Sequence, residues 1–128
     1  MTESRSLALD AVAAALDKKA FEPVLLDVRK LASYTDHIVI VSARSDRQVH
    51  AVAQHVEETL RQGGRRLLGS EGGGTGHWVL LDYGDLVVHV FYHPLREFYD
   101  LEGLWIDAPR VALEVPPELR AAIAWYYG

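Results

Sequence analysis

The chain contains no cysteine, which excludes a disulfide framework, a thiolate zinc site, an iron–sulfur cluster and a cysteine nucleophile at once. It has no lysine beyond Lys30, so its later glycine-rich segment cannot be a Gly-x-x-x-x-Gly-Lys-Ser/Thr loop, whose lysine must reach the nucleotide phosphates. No stretch approaches the roughly 18 consecutive apolar residues of a membrane span. The polar start Met1-Thr2-Glu3-Ser4-Arg5 lacks the apolar core of a secretory signal. A cytoplasmic protein that touches no membrane is expected. Positive charge is short as well: Lys+Arg 13 against Asp+Glu 18 leave a formal net charge of -5. That argues against an overall basic surface holding nucleic acid phosphates, and little direct nucleic-acid binding is expected.

What is present fits one domain, residues 1–128. A chain of 128 residues, 49% hydrophobic and 24% charged, has an ordinary globular composition. It is long enough for one core and too short for separate catalytic and substrate domains. The negative charge is concentrated. Between residues 82 and 107 stand Asp82, Asp85, Glu97, Asp100, Glu102 and Asp107 against Arg96 alone. These acids interleave with Tyr83, Phe91, Tyr92, Phe98, Tyr99 and Trp105, with Trp78 just before them. Acidic residues around aromatic side chains suit a basic protein partner, although a merely solvated acidic face has the same composition.

Periodicity gives the elements. Leu9, Val12, Ala13, Leu16 and Ala20 predict a first amphipathic helix over residues 6–20, ended by Pro23. Strands are predicted over 24–28 and 36–42, the second rich in β-branched residues. Ser45-Asp46-Arg47-Gln48 matches a capping box, and Val49, Val52, Ala53, Val56 and Leu60 form the apolar stripe of a helix that Gly63-Gly64 stops. Three further strands follow, over 65–69, 77–82 and 86–91, the last two forming a hairpin. A short helix is predicted over 94–99 and a C-terminal one over 118–127, behind Pro116-Pro117. The order implies an α/β domain with a mixed five-stranded sheet flanked by helices.

Candidate chemistry is sparse. Gly69 to Gly76 precedes a strand, not the helix that a dinucleotide fingerprint needs, so a plain strand-to-strand loop is expected. His50 and His55 are five apart and share no helix face, and the other four histidines are scattered, so no metal site is expected. If Tyr83-Gly84 is a two-residue hairpin loop, Asp82 and Asp85 oppose each other across the ladder, a repulsion that a cationic partner would relieve.

Five segments then stand out together: Asp36-His37-Ile38-Val39-Ile40-Val41-Ser42-Ala43, Ser45-Asp46-Arg47-Gln48-Val49, Glu71-Gly72, the run from Trp78 to Phe91, and Arg96-Glu97-Phe98-Tyr99-Asp100-Leu101-Glu102-Gly103-Leu104-Trp105. This pattern resembles the ribosomal silencing factor family, also called Iojap-related, over a core of about residues 7–108. Residues 109–128 stand outside it as a C-terminal extension with a predicted helix. The resemblance implies a nucleotidyltransferase-like α/β fold without the catalytic motif: Gly69-Ser70 is present, but no Asp-x-Asp pair follows and Asp82-x-x-Asp85 has the wrong spacing. It implies no enzymatic activity and no cofactor. It also implies binding to large-subunit ribosomal protein fourteen on the 50S subunit, obstructing the 30S subunit and repressing translation when nutrients are short. The residues expected to meet that partner are Trp78, Asp82, Tyr83, Asp85, Tyr99, Asp100, Leu101, Glu102 and Trp105. For Leu101 and Trp105, whose spacing with Leu104 also suits a packed helix face, burial in the core is an equal alternative. Two other functions stay open: a minimal nucleotidyltransferase using the 69–76 loop with Asp82 and Asp85, and a homodimeric adaptor whose aromatics cover each other.

Overall fold

The computed structural model describes residues 3–72 and 76–120. Helix α1 (Glu3–Asp17) leads into strand β1 (Phe21–Asp27), and β2 (His37–Ala43) runs back beside it. Helix α2 (Asp46–Gln62) precedes the short β3 (Gly69–Glu71), and β4 (Trp78–Asp82) and β5 (Leu86–Tyr92) form the hairpin. Helices α3 (His93–Tyr99) and α4 (Leu101–Leu104) follow. The five strands make one sheet in the order β1-β2-β5-β4-β3. Its central pair, β2 with β5, is parallel, and every other pair is antiparallel. The expected mixed five-stranded α/β domain is the fold observed.

Helix α2 forms as its sequence dictates. The Ser45 hydroxyl accepts a hydrogen bond from the Gln48 backbone N–H at 3.1 Å, and Val49, Val52, Ala53, Val56 and Leu60 are buried. The return arm of the capping box is displaced by one residue, because the Gln48 side-chain oxygen accepts from the N–H of Arg44. The amide of Gln48 donates to the carbonyls of Lys18 and Lys19, tying the start of α2 to the end of α1.

Four expectations change. The buried side of α1 is Leu7, Ala8, Ala11, Val12, Ala14 and Ala15, while Leu9 is 42% exposed and Ala13 lies outward. Small alanines let α1 approach the sheet and α2 closely, and that packing outweighs the single larger Leu9. The helix ends at a left-handed Lys19 (φ 67), not at Pro23. Pro23 instead lies in β1, an edge strand with a register shift between Phe21 and Val24, where a missing N–H is tolerated. The third strand is Gly69–Glu71 rather than 65–69, since pairing with Leu80, Leu81 and Asp82 sets its register and leaves Leu68 exposed. Where a helix is expected over 118–127, Pro117–Leu119 is a 3-10 turn followed by Arg120, and residues 121–127 lie outside the described residues.

The sheet has two unlike faces. Helices α1 and α2 cover one, packing on Leu25, Val39, Val41, Leu81, Leu86, Val88 and Val90. On the other, Leu26, Ile38, Ile40, Phe91 and Ala108 are covered by Leu95, Leu101 and Trp105 from α3, α4 and the chain just after them. On β4 that covering reaches Trp78, which packs at the edge of the same cluster and keeps part of its surface open.

Candidate partner-binding site

Alternation along β4 and β5 turns Trp78, Leu80 and Asp82, with Val87, His89 and Phe91 opposite them, away from α1 and α2. Trp78 is half-buried and stacks on Phe91, ring centroids 4.7 Å apart and planes 25° from parallel. Its indole N–H donates to Nδ1 of His89 at 3.1 Å. Burial pushes the His89 imidazole down to about 4, so the ring is neutral and free to accept that bond. Tyr99, at the end of α3, lies 5.0 Å from Trp78 by ring centroids, and Phe98 meets Tyr99 edge-on at 5.2 Å. Phe98 is 78% exposed and Tyr99 52%. The result is an aromatic shelf at the edge of the covered part of the sheet.

The glycine-rich loop supports this shelf from one side. Gly72 has φ 86, and a Cβ placed on it would stand 1.8 Å from the Trp78 carbonyl oxygen. Only a glycine lets the β3–β4 connection pass there. Residues 73–75 of that loop lie outside the described residues.

The hairpin differs from expectation. Tyr83 N–H donates to the Leu86 carbonyl at 2.8 Å and Asp82 pairs with Val87, so the two-residue loop is Gly84-Asp85. Gly84, at φ 89, accepts the first central position of the tight turn and shifts the loop by one residue. Asp82 and Asp85 therefore do not oppose each other. Asp82 Oδ1 accepts from the Gly84 N–H at 2.8 Å, whereas Asp85 Oδ1 accepts from Arg65 at 2.8 Å. Tyr83, expected on the contact surface, is buried at 3% exposure in the core beneath α2, and burial pushes its phenol up to about 12. It is withdrawn from the surface, because the shifted loop extends the ladder to Tyr83 and alternation along β4 places it on the helix side with Val79 and Leu81.

The remaining candidates sit at the corner between α3 and α4. Asp100 has φ 48, and its N–H donates to the Arg96 carbonyl while its carboxylate accepts from Gly103 N–H at 3.2 Å. One residue thus ends α3 and caps α4. Glu102 is held by Arg96 through two bonds of 3.0 and 3.1 Å, with Arg110 at 3.6 Å. Burial raises the Glu102 carboxyl, but the Arg96 guanidinium overrides this and holds it below its ordinary value. Leu101 and Trp105 pack on the Leu26, Ile38, Ile40 and Phe91 cluster and keep part of their surfaces open, Trp105 lying 6.4 Å from Tyr34. The expected contact set omits the exposed Phe98, Leu104 (73% exposed), Ile106 (74%) and Tyr34, although Phe98 stands among the aromatics of the acidic segment. Short-range spacing could not separate them from core positions.

The fold and this face define a small α/β domain that presents an aromatic, acid-flanked sheet surface. The chain belongs to the ribosomal silencing factors: a family model described as ribosomal silencing factor during starvation matches residues 1–124. A Bacillus subtilis protein named ribosomal silencing factor is 37% identical over 110 residues, covering 86% of this chain and 93% of that protein. A crystal structure of a Chromobacterium violaceum protein superposes with a TM-score of 0.80 at 33% identity, covering 99% of this chain and 100% of that one. A mouse relative, 31% identical over 94 residues and covering 66% of this chain and 41% of that protein, is named mitochondrial assembly of ribosomal large subunit protein 1.

Proposed function

We propose that this protein binds the 50S subunit on large-subunit ribosomal protein fourteen and, by occupying that surface, keeps the 30S subunit from joining, repressing translation under nutrient limitation. It acts by binding and not by catalysis, in the cytoplasm. The observation that carries the reading is the aromatic shelf of Trp78, Tyr99 and Phe98, a large, preordered apolar contact area beside carboxylates. Aromatic anchors of this type dominate binding energy at protein interfaces, and neighbouring acids speed and orient docking on a basic ribosomal protein. The family's name and the name of the mouse relative support a large-subunit partner.

Among the carboxylates, Asp82 and Asp100 are the ones we assign to the partner's cations, since Asp85 and Glu102 each face an arginine of this chain. Co-sedimentation with separated 50S and 30S subunits tests the proposal. Binding to 50S alone, with fewer 70S particles re-forming when 30S is added, is expected. No binding to 50S would overturn it.

A further inference from the structure

Arg96 is a buried cation, 5% exposed, on the inward side of α3 beside the buried His93. Its guanidinium touches three separate elements. One Nη donates to the Glu22 carbonyl of β1 at 2.7 Å and to the Ser42 hydroxyl of β2 at 2.9 Å, while Nε and the other Nη clasp both oxygens of Glu102 on α4. A guanidinium taken out of water is tolerated only when its donors are met, and a planar fork matches a carboxylate in a way lysine cannot. Ser42 is itself bonded to His93 at 2.8 Å, so the sheet side of the clasp is fixed. Glu102 follows the left-handed corner at Asp100, where a Cβ on Gly103 would stand 2.2 Å from the Asp100 carboxylate. The corner is thus tight in itself and anchored to the sheet from beneath by one side chain.

We propose that Arg96, through Glu102, is the positioning residue of the partner-binding surface: it sets the corner from Asp100 to Leu104 so that Tyr99 and Phe98 are presented beside Trp78. The inference rests on the binding reading above. Arg96 itself cannot touch a partner, being buried, and Glu102 serves inward. The partners of the clasp are Glu22, Ser42 and Arg110, while α1 and α2 pack on the opposite face of the sheet, so loosening it is expected to leave a folded domain with a misplaced shelf.

The test compares Arg96→Lys, Glu102→Gln and the double variant by binding to 50S subunits and by backbone amide exchange. Each single variant is expected to bind about tenfold more weakly, through faster dissociation, and the double no more weakly than the weaker single, as coupled partners behave. Amides of residues 100–104 are expected to exchange faster while those of α2 and β5 keep their protection. Glu102→Gln is the milder change and carries the test if Arg96→Lys does not fold. Wild-type binding retained in a folded variant, or unchanged exchange at 100–104, would overturn the proposal. So would a loss confined to the association rate and abolished by salt, which would make Glu102 a direct contact. A wild type that fails to bind 50S overturns the binding reading and with it the role of Arg96, whereas a wild type that binds alongside equally tight variants overturns the role alone.

Discussion

The indole N–H of Trp78 donates to Nδ1 of His89, two residues on adjacent strands and one face of the sheet. The bond requires an unprotonated Nδ1, and burial supplies it by holding His89 neutral down to about pH 4. The unfolded chain has no such burial and takes up its proton near pH 6.5. Between those values the unfolded state binds more protons than the folded one, so stability is complete above about pH 6.5, falls as pH drops, and stops falling from this group below 4. The full loss is about 3 kcal/mol. His37, buried and pushed down by the same cause, adds to it. Urea unfolding between pH 7 and 4 should show the decline, and His89→Gln should flatten it.

Trp78→Ala removes the stack on Phe91 and Tyr99 and orphans the His89 acceptor. A cost of about 2–3 kcal/mol is expected, below that of a fully buried tryptophan because Trp78 is half open. Trp78→Phe retains the stack and loses the hydrogen bond, about 1 kcal/mol. Denaturant titration measures both. In the 50S co-sedimentation assay the alanine variant should lose binding and the phenylalanine variant keep most of it.

The hairpin acids should behave unequally. Asp82→Asn is expected to slow association with the ribosomal subunit and reduce its salt dependence, because among the described residues no cation pairs with its charge. Asp85→Asn breaks a part-exposed pair with Arg65, so a stability change of about 0–1 kcal/mol and unaltered binding are expected. Stopped-flow association at two ionic strengths separates them.

Tyr83→Phe removes a buried hydroxyl that has no hydrogen-bond partner among the described residues. Stability should stay level or rise by up to about 1 kcal/mol, with binding unchanged. A drop in 50S affinity with normal folding would return Tyr83 to the contact surface.

Gly72→Ala should act on the site from outside it. The new methyl cannot share space with the Trp78 carbonyl, and φ 86 is strained for alanine, so a loss of about 2 kcal/mol or more is expected. The shift would pass into β4 at Trp78. A thermal melt and the sedimentation assay together would register both effects.

The sequence by itself determined the elements whose signals are local. Helix α2 carries its own cap, its own stripe and its own glycine stop, and the β-branched runs of β2 and β5 define strands whatever surrounds them. Trp78 and Tyr99 were legible as candidates because large aromatics beside acids are unusual wherever they fall. Tertiary structure decided the rest, because periodicity says which residues share a side but not what covers that side. Ala8, Ala11, Ala14 and Ala15 of α1 point inward since two neighbours can come close there. Tyr83 is buried because Gly84 moved the turn one residue along, so that Tyr83 continues the alternation of β4 onto the helix side with Val79 and Leu81, and Asp85, now in the loop, meets Arg65. The inward duty of Glu102 depends on Arg96 reaching Glu22 and Ser42, strand residues far away in the chain, and no spacing within 96–105 encodes that meeting.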